Sequence, residues 1–167
     1  MTPTLVRPAN IAEAPALGTI GFDAWLGSAF AVLDHGRTDR VRLRHEFESF
    51  CATKSETILV AEVQGAPVGW GAREDGDHVV SDLWVSPAAQ GTGIGTALLA
   101  ALEDVIRRAG HPAAELETAA SNAAAIRFYE RHGYGIAWRR EKLSATLGYA
   151  LDKVGLSKPL GEGRMQA

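Results

Sequence analysis

Apolar and polar residues alternate from Thr4 to Arg7 and stop at Pro8, the two-residue period of a half-buried strand. Asn10 followed by Glu13 has the spacing of a capping box and predicts a helix from Ile11 to about Ile20. Glycines at 18, 21 and 27 interrupt the helical pattern, so Phe22, Trp25, Leu26 and Phe30 read as a bent second helical piece or loop. The period returns to that of a helix from about Thr38 to Thr53, with Val41, Leu43, Phe47 and Phe50 on or near its inner side.

Further along, Thr57 to Val63 and Pro67 to Arg73 are strand-like and separated by Gln64-Gly65-Ala66, a hairpin. Glu74-Asp75-Gly76-Asp77 then turns the chain into a strand from His78 to Val85, which completes an antiparallel meander. A long helix is predicted from about Gly93 to Ala109, closed by Gly110 with Pro112 beyond it. Next come a strand from Ala113 to Thr118, a helix from Asn122 to His132 ending at Gly133, and strands near Tyr134 to Lys142 and Tyr149 to Lys158. Gly161 to Ala167 reads as a frayed tail, and no linker or repeat divides the chain, so residues 1–167 are expected to form a single domain with its core at about 4–160.

Composition narrows the class. A chain of 167 residues that is 46% hydrophobic and 22% charged can bury a core of ordinary size. It contains no run of eighteen apolar residues and no basic-then-apolar start, so no membrane partner is expected and the location is read as cytoplasmic. The net charge of -3 argues against a nucleic-acid partner, which would need a broad basic face. The run Arg37, Arg40, Arg42 and Arg44, with Glu46 and Glu48 close behind, reads as a solvated helix face with pairs four residues apart. Cys51 is the only cysteine and reads as a small buried residue, and neither it nor the histidines have the spacing of a metal site.

The sharpest chemical signal is Gln90-Gly91-Thr92-Gly93-Ile94-Gly95, set between the strand around Asp82 to Val85 and the helix-forming stretch from Thr96. Glycines at alternate positions allow a tight turn and close approach of a ligand to the backbone. The helix beyond them adds unpaired N-H groups and the positive end of its dipole, a combination that favours a phosphate. No lysine follows Gly95, so the loop is not of the kind that grips a nucleoside triphosphate. The dinucleotide spacing also fails, because Gly91 and Gly93 lead to Thr96 while Gly93 and Gly95 lead to Leu98.

The block from Asp82 to Gly110, DLWVSPAAQGTGIGTALLAALEDVIRRAG, resembles the coenzyme A-binding motif of the GNAT superfamily of N-acetyltransferases, with Gln90, Gly93 and Gly95 in its loop positions. A second block, LETAASNAAAIRFYERHGY from Leu116 to Tyr134, resembles the other signature of that superfamily. The resemblance implies an α/β (α+β) fold with a mixed central sheet of about six to seven strands, splayed in a V between the fourth and fifth and flanked by helices. It implies acetyl-CoA as cosubstrate, no metal, and transfer of the acetyl group directly to a primary amine. It also implies a homodimer in many similar proteins. An alternative is a noncatalytic acyl-CoA-binding or regulatory module of the same fold.

On this resemblance Gln90, Gly91, Thr92, Gly93, Ile94, Gly95 and Thr96 hold the diphosphate, while the backbone of Leu83, Trp84 and Val85 holds the pantetheine arm and the thioester carbonyl. Asn122 contacts the coenzyme A arm, although an Asn before Ala123-Ala124-Ala125 is equally a helix cap. Tyr129 protonates the departing thiolate, with core packing as its alternative. Strand alternation puts Glu117 and Ala119 on the face opposite Leu116 and Thr118, so Glu117 is either a cleft carboxylate of raised pKa that deprotonates the amine or a solvated surface group. His78 and Asp82 are reserves for that base. Phe22, Trp25, Phe30, Trp70 and Trp84 are candidates to line an acceptor pocket, with core packing or a dimer interface as the alternative.

Overall fold

The computed structural model describes residues 2–74, 78–145 and 147–161. Seven strands form a mixed sheet in the order β1-β2-β3-β4-β5-β7-β6, with helices between them. The chain divides into two compact units, Met1–Ala72 with Asp82–Ala101, and Arg73–Ser81 with Leu102–Ala167. The turn expected at Glu74 to Asp77 and the tail expected beyond Gly161 fall largely outside the described residues.

In the first unit β1 (Thr4–Pro8) pairs antiparallel with β2 (Ile58–Val63), and β2 with β3 (Ala66–Glu74). Gln64 and Gly65 both take positive φ, 52° and 78°, as a tight hairpin turn demands. The capping box forms as expected: Asn10 accepts from Ala12 N-H, and Glu13 accepts from Asn10 N-H. It opens one short 3-10 turn, Ile11–Glu13, that leads into α1 (Ala14–Leu26). The expected break at Gly18 and Gly21 is therefore corrected, because α1 runs through both and ends at Gly27. The reason is tertiary. A Cβ on Gly18 would stand 2.7 Å from Glu48 Cα, and one on Gly21 would stand 2.7 Å from Phe47 Cδ1. These glycines let α1 lie against α3 (Arg40–Thr53), whose N-cap is Asp39.

Of the inner residues expected on α3, Leu43 and Phe47 are buried, whereas Val41 is 81% exposed and Cys51 takes the inner place instead. Phe30 lies on a short helix of its own, α2 (Ala29–Asp34). Trp70 is the largest fully buried side chain; its indole N-H donates to Leu17 C=O at 2.8 Å, and Phe47 and Phe50 pack on its ring. Phe22, Trp25 and Trp70 are thus core residues rather than the lining of an open pocket. Arg42 pairs with Glu46 at 3.6 Å, while Arg44 turns to Thr19 Oγ1.

In the second unit β5 (Ala113–Ala119) pairs antiparallel with β7 (Ala150–Pro159), which pairs antiparallel with β6 (Gly135–Leu143). Among the described residues the parallel ladder between β4 (Val79–Val85) and β5 is confined to Val79 opposite Glu115, where the resemblance expects the fourth and fifth strands to part. The helix α4 (Ile94–Arg108) buries Leu98, Leu99, Leu102 and Ile106 along one face. Gly110, with φ 92°, closes it: Gly110 N-H bonds Arg107 C=O and His111 N-H bonds Ile106 C=O.

Candidate active site

The turn before α4 is built on φ values that side chains resist. Gly91 and Gly93 take φ 76° and 87° and face open space, so the backbone there is bare. Ile94, the first residue of α4, is buried with Leu98 and Ala61, and Leu83, Val85 and Ala89 pack against that cluster. Gly69 makes this possible, since a Cβ there would approach Trp84 C=O, Ile94 and Leu98 within 3.0 to 3.3 Å. The turn is thereby fixed from below while Gln90 to Gly93 stay exposed. Thr92 Oγ1 donates to Ala89 C=O and Gln90 Nε2 donates to Val85 C=O at 3.1 Å, which ties the turn to the end of β4. An α-helix offers no internal acceptor to its first N-H groups, so this end of α4, which begins at Ile94, presents partial positive charge.

The end of β4 has a defined edge. Ser86 N-H bonds Val68 C=O at 2.8 Å on the β3 side. Backbone groups alternate sides along a strand, so Val85 N-H points to the opposite edge, together with the Val85 carbonyl that Gln90 holds. Leu83 and Val85 pack against the core cluster through their side chains. Trp84 packs edge-on against Phe47 at 5.4 Å, and its indole N-H donates to Asp82 Oδ1 at 3.1 Å.

The second unit carries the other candidates. Asn122 is the N-cap of α5 (Ala123–Arg131): its side chain accepts from Ala125 N-H at 3.3 Å and donates to Thr118 Oγ1 at 3.1 Å. Tyr129 is half-buried in the last turn of α5. Gly133, with φ 92°, ends that helix, and Tyr134 N-H returns to Tyr129 C=O at 3.0 Å while the two rings meet at 5.7 Å. The Gly-Tyr pair after α5 is therefore a helix cap that grips the residue bearing the candidate phenol. Tyr134 is anchored in turn, donating to Glu103 Oε1 at 3.0 Å, and Lys158 donates to Glu103 Oε2 at 2.9 Å. Burial, with Glu103 beside it, holds the Tyr134 phenol neutral far above its ordinary range.

Glu117 does not fit the raised pKa expected of it. Burial pushes the carboxyl up, but hydrogen bonds from Lys142 Nζ at 2.7 Å and Lys153 Nζ at 3.0 Å outweigh that, and the net direction is below the ordinary 4.5. Sequence reading missed both lysines. The alternation used for Glu117 also places Lys142 and Lys153 toward one face of their strands, and only the strand register was missing. His78 lies 3.2 Å from Glu115 and beside His111, in a small cleft with Pro112 and Ala113. Cys51 is buried and its thiol is pushed up to about 12 by burial and then by Asp82, which makes it a packing residue rather than a nucleophile. Among the described residues no group of three His, Cys, Asp or Glu side chains could hold a metal ion.

A family profile, that of the Acetyltransferase (GNAT) family, matches residues 24–134 and so takes in both the glycine turn and α5. The chain belongs to this family. Among GNAT relatives, the IAA acetyltransferase of Azospirillum brasilense is 40% identical over 81 residues, 46% of this chain and 53% of that protein. The L-methionine sulfoximine/L-methionine sulfone acetyltransferase of Salmonella typhimurium is 29% identical over 112 residues, 63% of this chain and 66% of that protein. The chain thus spans between half and two thirds of these curated relatives. The structure of yncA from Salmonella typhimurium with its cofactor acetyl-CoA superposes with a TM-score of 0.68 at 25% identity, covering 99% of each chain.

Proposed function

We propose that the protein is an acetyl-CoA-dependent N-acetyltransferase that passes the acetyl group directly to the primary amine of a small molecule. The observation that carries this reading is the bare turn Gly91 to Gly93 at the start of α4, which fits a diphosphate and lies within the span matched to the family. A relative seen with acetyl-CoA supports the choice of anion. Gln90 to Thr96 would hold the diphosphate, and Leu83 to Val85 the pantetheine arm. Val85 N-H would polarise the thioester carbonyl and stabilise the oxyanion that forms on attack. Asn122 would contact the cofactor arm while capping α5. No residue becomes acetylated on this route, in keeping with the inert Cys51.

Tyr129 is assigned the proton donated to the departing thiolate, since a phenol is neutral at pH 7 and can give up a proton as charge develops. Glu117 is assigned the proton of the amine, with one consequence of its two lysines. A carboxylate held below 4.5 stays ionised throughout neutral pH. The ascending limb of the rate profile therefore reports the acceptor amine and not Glu117. Acceptors of the amino-acid type are favoured by the relative that acetylates L-methionine sulfoximine and L-methionine sulfone.

The test is thiol release from acetyl-CoA over a panel of primary amines, with calorimetry for coenzyme A alongside. Turnover with Tyr129→Phe should fall on the order of 100-fold with acetyl-CoA affinity retained. Binding of coenzyme A with no amine-dependent thiol release would instead indicate the noncatalytic module. The proposal also carries a single domain over residues 4–160, a cytoplasmic location and a homodimer; light scattering of the purified protein tests the last.

A further inference from the structure

β6 and β7 build a face whose charge is one-sided. Strand register sets Glu117 opposite Gly155 and Gly155 opposite Trp138, so these three share a row on one side of the sheet. The next row on that side holds Arg140 opposite Lys153, and the row after it holds Lys142. Arg139, Glu141 and Asp152 alternate to the other side, where Arg139 and Asp152 pair with each other at 2.6 Å. Three cations and two carboxylates, Glu117 and, one row along opposite Ser157, the Glu115 that bonds His78, thus occupy the Glu117 face, which keeps a net positive charge.

Their arrangement is built rather than scattered. The indole of Trp138 lies flat across Gly155: a Cβ there would meet Trp138 at 2.1 Å, so no other residue leaves room for the ring. The Arg140 guanidinium sits over that ring at 4.4 Å and the Lys142 ammonium at 5.6 Å. Lys142 and Lys153 both spend their charge on one carboxylate, and Lys153 is only 12% exposed. Among the described residues Arg140 has the Trp138 ring as its partner and no carboxylate. A planar fork set over an aromatic ring, in a field of net positive charge, is suited to a carboxylate. The same field repels a polycation.

We infer that Arg140, set over the Trp138 ring and backed by Lys142 and Lys153, forms an anion subsite that selects acceptors carrying a carboxylate together with their amine and rejects polyamines. This rests on the acetyltransferase reading and on Glu117 facing the acceptor. Amino acids and their N-unsubstituted derivatives fit it, with the carboxylate against Arg140 and the amine toward Glu117.

The experiment pairs L-α-amino acids with their own carboxamides, which differ in charge at one end, and adds spermidine. Equilibrium dialysis against the protein, with and without coenzyme A, reads affinity, and thiol release reads KM. We expect each acid to bind about tenfold more tightly than its amide, the scale of one charge-assisted hydrogen bond, and spermidine to be refused. Arg140→Ala should bring the acid-to-amide ratio close to one, and Arg140→Lys should keep most of it, since the side chain is exposed and the fold does not depend on it. Equal affinity for acid and amide, binding of neither, a ratio unchanged in Arg140→Ala, or preferred use of spermidine would each overturn the subsite. Failure of the acetyltransferase reading is separate: it shows as absent coenzyme A affinity or absent thiol release with every amine, while dialysis still reads the subsite.

Discussion

At Glu117 two opposed effects act on one carboxyl, and their balance sets a pH dependence of stability. Burial alone would raise its pKa and the lysines lower it, with the lysines prevailing. A group whose pKa is lower in the folded state adds stability above its unfolded value, near 4.5, and loses it as pH falls through the folded value. Glu13, held down by Arg7, has the same sign. Urea midpoints should therefore hold steady from pH 7 to about 5 and drop below 4.5. In Glu117→Gln the unfolding free energy at pH 7 should be lower by about 1 kcal/mol after solvent screening of this partly exposed pair, and the midpoint with it. The gap from wild type should close toward pH 3. A gap that is the same at pH 7 and pH 3 would show that the lysines contribute nothing through charge.

At the scale of elements, most of the architecture was legible because helical and strand periods are local. The capping box at Asn10, the hairpin at Gln64 and Gly65, and the closing glycine at 110 each act within a few residues, and each stands where the pattern put it. The first helix was misread for the converse reason. A glycine inside a helix costs about 1 kcal/mol locally, so pattern alone treats Gly18 and Gly21 as breaks. Their role is to permit the close passage of α3, some thirty residues away in the chain. Gly18→Ala tests this directly, because helix propensity and packing predict opposite signs. Propensity favours alanine by about 1 kcal/mol, whereas a methyl 2.7 Å from the backbone of Glu48 should cost about 1–3 kcal/mol. We expect a net loss in thermal stability; a Tm equal to or above wild type would mean that the two helices part at little cost.

Over the whole molecule, the glycine turn and the α5 signature could be read from single stretches of sequence, whereas the environment of Glu117 could not. Its partners Lys142 and Lys153 stand 25 and 36 residues away and reach it only through strand pairing. Composition offered no hint that the face around it would be positive, since the chain as a whole is at -3. Cofactor binding and cooperativity are properties of the same scale and are joined by mass action. If residues 4–160 fold as one domain, heating should give one transition whose midpoint rises with acetyl-CoA. At a hundred times the dissociation constant the gain is about 2.7 kcal/mol, which for a chain of this size is on the order of 5–10 °C. Gly93→Val should lower both readings, because it forces a branched side chain to φ 87° and sets it over the bare backbone of the turn. Two separate transitions would divide the domain. A rise of the same size in wild type and Gly93→Val would take the cofactor away from the turn, and no rise in wild type would remove the cofactor.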